Sequence, residues 1–316
     1  MQFYFAPMEG ITGHIYRKAF QQHFPTPDKY FTPFISPDGN KILRNKEKRD
    51  VLPENNPGMQ VVPQIITNRA DYFLMAAEYL KSEYGYTEVN LNLGCPSGTV
   101  VTKGKGSGFL SRLEGLERFF DEVFEKSSLD VSVKTRVGRN DDTDWEQILA
   151  LFRKFPIKEL TVHPRIQKDF YKGQVRMEKF AYAYETWERP LCYNGDIFTK
   201  ESYEKLATRF PELQSVMLGR GLLSDPYLIG RLHGENLPEE AVRKETIKAF
   251  HEQLMTEYGA VLSSDRDLLY KMKELWFYLL DSFEDSEKAR KQIRKCEKLG
   301  EYKQIVTNLF YENRLL

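Results

Sequence analysis

The chain predicts an α/β fold: a (β/α)8 barrel, the TIM-barrel architecture, followed by a small C-terminal all-helical domain. Three observations predict it. Eight short apolar runs begin 25 to 42 residues apart. Most gaps between them place apolar residues at i, i+3, i+4 and i+7, the helical period. Beyond about Asn236 the helical pattern continues with no further strand-like run. Strands alternating with helices pack as parallel βαβ units, and eight such units in succession close a barrel.

The runs are QFYFAP from Gln2, KYFTPFIS from Lys29, QVVPQIIT from Gln60, EVNLNLGCP from Glu88, DVSVKTRVG from Asp130, ELTVHPR from Glu159, PLCYNGDI from Pro190 and SVMLGRGL from Ser215. They are rich in Val, Leu, Phe and Tyr and end in Pro, Gly or Asn, as strands do. Helices are expected over 69–85, 113–127, 144–155 and 200–210. Ser111 with Glu114, and Thr143 with Glu146, have capping-box spacing, and Asp225-Pro226 reads as an N-cap followed by proline at the first helical position. An open doubly wound sheet is the rival fold. It would carry a G-x-G-x-x-G turn after the first strand, where this chain has APMEG (6–10). The tail stretches 239–259, 268–283 and 286–299 are helical with no strand between them. Gly and Pro interrupt the pattern at Gly234–Glu240, which divides the chain into 1–235 and 236–316.

Composition narrows the function. Over 316 residues, 46 basic side chains balance 46 acidic ones, which argues against a wholly basic nucleic-acid coat protein while leaving local basic patches open. Cys95, Cys192 and Cys296 are the only cysteines, odd in number and without a CxxC pair, so neither a disulfide framework nor a zinc site is expected. The N-terminus lacks a signal-peptide pattern and no apolar run approaches a membrane span of about 18–20 residues. A cytoplasmic, membrane-free monomer is the expectation.

In a barrel the chemistry gathers at the C-terminal strand ends. Those ends carry Pro7, Met8 and Glu9; Gln64; Asn92 and Cys95; Lys134 and Arg136; His163 and Arg165; Asn194 and Asp196; Gly219 and Arg220. So many polar residues at matching positions point to one site. NGDI (194–197) and GRG (219–221) follow the last two strands, where barrels often hold a phosphate on bare backbone N–H groups, with Arg220 adding a charge-assisted bond. A phosphate there, with Gln64 and Lys134 nearby and no separate dinucleotide domain, suits a flavin mononucleotide better than a tightly held NAD. A lysine near the pyrimidine end of a flavin stabilises negative charge on the reduced ring. GKGSG (104–108) lacks P-loop spacing and is set aside.

The motif string APMEG (6–10), NLNLGCPS (90–97), VKTRVG (133–138), TVHPR (161–165), YNGDI (193–197) and MLGRG (217–221) resembles the tRNA-dihydrouridine synthases, and the tail with KMKELWFYLL (271–280) looks like that family's C-terminal RNA-binding domain. The resemblance implies an FMN-binding barrel over 1–235 and an RNA-binding helical domain over 236–316. It implies FMN as cofactor, NADPH (or NADH) as electron donor and uridine in RNA, first of all tRNA, as substrate. By resemblance Pro7, Met8, Glu9, Gln64, Lys134, Asn194, Gly195, Asp196, Gly219 and Arg220 hold the flavin and His163 lies beside its ring. Asn92 faces the uracil, Arg136 and Arg165 contact the substrate, and Cys95 is the proton donor. Hydride would pass from flavin N5 to uracil C6 and a proton from Cys95 to C5. No metal is implied. The chain departs from the family pattern at Pro164 and Ile166, where Gly or Ala and Thr are usual.

A thiol with an ordinary pKa near ~8.5 is mostly protonated at neutral pH and can serve as the acid. Gly104, Gly106 and Gly108 suggest a mobile loop after Cys95, expected as a lid. Two basic runs, KILRNKEKR (41–49) and KARKQIRKCEK (288–298), are the expected phosphate contacts, with Arg290, Lys291, Arg294 and Lys298 near one helical stripe. Two other readings compete: a flavin barrel reducing a small enone or pyrimidine, and a non-catalytic RNA-binding protein on a barrel scaffold.

Overall fold

The computed structural model describes residues Met1–Leu316. Nine parallel strands form one sheet: β1 (Gln2–Phe5), β2 (Lys29–Phe31), β3 (Val61–Val62), β4 (Gln64–Ile65), β5 (Glu88–Leu93), β6 (Asp130–Gly138), β7 (Leu160–Ile166), β8 (Leu191–Asn194) and β9 (Ser215–Leu218). Their order, β3-β2-β1-β9-β8-β7-β6-β5-β4, runs round a ring whose two ends are consecutive in the chain. The expected third strand is therefore two short pieces. Pro63 lacks the N–H a ladder needs and splits it, and a bridge between Ile35 and Ile65 closes the gap. The last run also ends earlier than its sequence suggests, because Arg220–Ser224 turns helical straight after β9.

Alternation along each strand sorts the side chains. Phe3 and Phe5 face outward into the main core, where Phe5 packs on Phe20 at 5.0 Å and Phe3 on Tyr203 at 5.4 Å. Tyr4, Ala6, Phe31, Val62, Cys192 and Met217 form a separate small cluster on the opposite faces, inside the barrel. The rest of that lumen is polar. Ser132 donates to Glu88, Asn90 donates to Ser132, Gln64 donates to Asn90 and Asn92 donates to Gln64, at 2.7, 3.0, 2.8 and 2.7 Å. Each of these four bonds joins side chains on neighbouring strands, so the buried polar groups satisfy one another. Lys29 and Lys158 neutralise Glu88 at the lower end.

The expected helices are present at Ala70–Tyr84, Leu113–Lys126, Trp145–Arg153 and Lys200–Arg209. Two of the expected caps are not. Arg112 and Asp144 occupy the N-cap positions without a side-chain cap bond. Ser111 donates back to the Gly108 carbonyl and Thr143 to Asp141, each satisfied locally one residue too early. Asp225 accepts from the Tyr227 N–H at 3.0 Å, but the helix begins only at Leu228, so Tyr227 and not Asp225 holds its N-cap position. A reciprocal box that the spacing rule missed joins Thr199 and Ser202.

After Gly234 the helices Glu240–Val261, Asp265–Leu279, Glu287–Lys295 and Leu299–Glu312 follow, the last beyond the sequence expectation. They lie against the barrel. Phe250 meets Tyr16 at 5.4 Å and Phe24 at 5.0 Å, and Lys271 donates to the Gly10 carbonyl at 2.7 Å. One hydrophobic core runs from the barrel helices into this tail. No helix is long and apolar enough to cross a membrane.

Candidate active site

A cavity of about 590 Å³ opens at the C-terminal strand ends. Of the residues expected there, Pro7, Met8, Glu9, Gln64, Asn92, Cys95, Lys134, Arg136, His163, Asn194, Gly195, Asp196, Gly219 and Arg220 all line it. Arg165 does not. Its buried guanidinium is drawn to Asp196 on the next strand-end loop, donates to the Gly173 carbonyl at 2.6 Å and lies 3.3 Å from His163 Nε2. The structure thus sets Arg165 behind the cavity wall, braced between Asp196 and the Gly173 carbonyl.

Asn92 sits at the end of β5 and shapes the turn beneath Cys95. Its Oδ1 accepts from the Gly94 N–H at 3.0 Å and the Cys95 N–H at 2.8 Å, while its Nδ2 donates to Gln64. The Asn92 amide is thus engaged inside the protein. Burial raises the Cys95 thiol above its ordinary pKa, with the nearby Arg136 only partly opposing this. The thiol is neutral at pH 7.

In the structure the loop after Cys95, expected as a lid, is folded back on its own start. Ser107 fastens it to the Cys95 carbonyl through both its N–H, at 3.2 Å, and its hydroxyl, at 2.8 Å. Gly104 and Gly106 take φ of 68° and 56°, and a Cβ on Gly108 would lie 2.6 Å from the Val101 carbonyl. These glycines serve left-handed turns and close packing.

Opposite, Lys134 at the floor donates to Asn194 Oδ1 at 2.7 Å. Burial, reinforced by Arg136, brings its ammonium down to about 7. Burial and the cations Arg136, Lys134, Arg165 and Arg220 hold His163 well below the ordinary imidazole value, so it is neutral. The Arg165 contact makes Nε2 the acceptor and places the proton on Nδ1. Asp196 is bracketed by Arg165 and Arg220; burial pushes its carboxyl up, yet the two guanidiniums prevail and hold it below the usual range. The trio leaves one net positive charge beside Gly195 and Gly219.

Arg136 joins two loops. It donates to the carbonyls of Gly94 at 2.9 Å, Ile166 at 2.8 Å and Phe170 at 2.8 Å. Gln167 adds a bond to the Pro96 carbonyl at 2.9 Å. The sequence reading missed Phe170, Tyr171 and Phe198 at the lip and Glu274 and Tyr278 from the tail. Adjacent aromatics in the polar loop KDFYKG were the available signal for the first two. Of the basic runs, Lys46 pairs with Glu9, Arg44 with Asp38 and Glu47, and Arg290 with Asp281. Lys288, Lys291, Arg294, Lys295 and Lys298 remain exposed.

A family model described as dihydrouridine synthase matches residues 4–313. The chain is 25% identical over 308 residues to a protein of Synechocystis sp. named "Probable tRNA-dihydrouridine synthase 1", covering 95% of this chain and 84% of that one. It is 26% identical over 318 residues to "Probable tRNA-dihydrouridine synthase 2" of Bacillus subtilis, covering 96% and 92%. Among solved structures, morphinone reductase superposes with a TM-score of 0.53 at 12% identity, over 77% of this chain and 88% of that one. The last likeness is one of fold.

Proposed function

The chain belongs to the dihydrouridine synthase family, and from that premise we propose that it reduces the C5–C6 double bond of uridine in RNA, tRNA first of all, to 5,6-dihydrouridine, using FMN and NADPH. One observation carries the reading. A protonated thiol on an Asn92-clamped turn and a glycine-lined cationic pocket share the same cavity.

The residues fit a flavin mononucleotide. A Cβ on Gly195 would lie 2.1 Å from Tyr193 Oη, and one on Gly221 would lie 2.1 Å from the Ile197 carbonyl. Packing thus requires glycine at both positions, and their backbone lies beside the Arg165–Asp196–Arg220 trio, whose net charge would suit a phosphate. Lys134 and Gln64 supply donors for the ring's polar edge, with Lys134 held charged by an anionic neighbour because its own pKa is so low. His163, neutral and lining the same cavity, would adjoin the flavin without adding a further positive charge. When bound, the flavin supplies the hydride that saturates C6.

The chain's own residues do the rest. Cys95 presents a proton to C5; the thiolate left behind is re-protonated from solvent at the cavity mouth. Asn92, braced by Gln64, keeps the thiol on its turn, and Arg136 keeps that turn against the loop after β7. A uracil in folded RNA must leave its stack to enter a barrel mouth. The exposed Lys288, Lys291, Arg294, Lys295 and Lys298 would give the tail its phosphate contacts, which supports the RNA-binding role expected of 236–316.

The test incubates the flavin-loaded protein with unmodified tRNA and NADPH and maps the product by mass spectrometry. A gain of two hydrogens at discrete uridines is expected, with binding that weakens steeply with salt. Reduction of free uracil or an enone with no change in RNA would overturn the RNA reading in favour of a small-molecule reductase.

A further inference from the structure

Phe170 adopts φ 49° and ψ −102°, close to the strained hand of the γ-turn. Only one other non-glycine residue, Asp285, has positive φ. A side chain is held there only when its surroundings over-determine it, and here they do. Arg136 holds the Phe170 carbonyl at 2.8 Å, and Asp169 just before it accepts from the Ile166 N–H at 3.0 Å and pairs with Arg176.

Nothing in the fold uses the ring that this strain fixes. Phe170 is 47% exposed, lines the cavity and has no aromatic or cationic partner. Its neighbour Tyr171 differs: it lies parallel to His163 at 6.3 Å and under the guanidiniums of Arg220 at 4.9 Å and Arg136 at 5.6 Å. Tyr171, equally exposed, is thus braced by its neighbours, whereas Phe170 lines the cavity beside it with its ring unpartnered, on the same Arg136 that holds the turn of Cys95.

We propose that Phe170 is the stacking platform for the nucleobase adjacent to the extruded uridine. The inference rests on the uridine-reducing reading and names what holds the flanking RNA. Extrusion strips a neighbouring base of one stacking partner, and a fixed flat apolar ring at the lip replaces it. Such stacking tolerates any base, so Phe170 selects for a nucleotide with neighbours and not for a sequence.

The experiment measures binding of fluorescently labelled unmodified tRNA by the flavin-loaded protein, with Phe170→Ala, Phe170→Trp and Phe170→Gly beside the parent, across a salt series. Phe170→Ala is expected to weaken binding about tenfold, the range of one lost base–aromatic stack, with an unchanged salt slope because phosphate contacts are untouched. Phe170→Trp should restore affinity. Phe170→Gly should lose as much affinity as alanine while raising Tm, since glycine relaxes the backbone. Wild-type affinity in Phe170→Ala, or a loss that appears only as a shallower salt slope, overturns the platform. Binding that depends on Phe170 without any gain of hydrogen in the RNA would retain the platform and refute the uridine-reducing activity instead.

Discussion

Asn92→Ala isolates the clamp from the acid. The substitution removes the acceptor of two backbone N–H groups, on Gly94 and Cys95, and the donor to Gln64. At about 1 kcal/mol net for each lost bond, with a further penalty for partners left unpaired in a half-buried turn, the loss is about 2–4 kcal/mol of stability. That corresponds to a Tm lower by roughly 3–6 °C for a chain of 316 residues. The effect on the reaction should be larger than this suggests. Freed from Asn92, the Cys95 thiol shifts on the scale of ~1 Å, and misplacement of that size reduces rate by about 10²-fold. The assay is single-turnover dihydrouridine formation by the pre-reduced enzyme, with Cys95→Ala and the double variant completing a cycle. Because Asn92 acts through Cys95, the double variant should be no slower than Cys95→Ala alone. Additive losses, or an Asn92→Ala enzyme at the parent rate, would refute the positioning role and return Asn92 to direct contact with the uracil.

Cys95→Ala should keep the flavin spectrum and NADPH oxidation but lose at least about 10²-fold in dihydrouridine yield, the range of a removed general acid, as read by mass spectrometry of the RNA. The alkaline limb of product formation in the parent should lie above the range of an ordinary thiol, since burial raises Cys95 and the donor is lost only as pH climbs through that raised value; a limb at or below the ordinary value refutes the assignment. Gly221→Ala, whose Cβ meets the Ile197 carbonyl at 2.1 Å, should purify without flavin absorbance and show FMN affinity at least about tenfold weaker by fluorescence titration, a loss of about 1.4 kcal/mol. Lys134 has a folded pKa near 7, below its unfolded value, so between about 7 and 10 the unfolded state binds more protons and stability rises with pH. Apoprotein Tm should therefore climb over that interval by more than it does in Lys134→Met, and parallel pH profiles of the two would refute the shift.

How much of this was legible before the structure depended on the range of the interaction. The strand ends were legible because a polar residue closing an apolar run is a local pattern, and parallel strands carry all such ends to one side. Asn92 was placed correctly, but its partners were not, because an amide can serve a ligand or its own turn equally well in sequence. The placement of Arg165 behind the wall was not legible for a similar reason: Asp196 lies 31 residues away, and only the neighbouring-strand packing of β7 and β8 brings the two together. The glycines after Cys95 suggested motion, and the close packing of Gly108 on Val101 was not legible because it depends on how the loop folds back. Glu274 and Tyr278 were invisible for lack of any local signal, since helix Asp265–Leu279 reaches the mouth only through tertiary docking. The caps at Ser111 and Thr143 failed by a single residue, the usual reach of a hydroxyl that has a nearer partner.

The turn of Cys95 and the outer lip are joined by a single side chain. Arg136 is almost wholly buried, and burial, which lowers its pKa to about 10, still leaves it charged at pH 7. A buried cation is tolerated only when its donors are satisfied, and here its three recorded acceptors are all carbonyls: Gly94 beside Cys95, and Ile166 and Phe170 beyond β7. Lysine in its place would keep the charge and lose the planar fork that reaches all three. Arg136→Lys should therefore loosen both loops together, so that dihydrouridine formation and tRNA affinity fall in the same variant while FMN affinity, governed by the opposite wall, holds. Retention of either property with loss of the other would show that the two loops are held independently, and that the carbonyl contacts of Arg136 are incidental to the chemistry they surround.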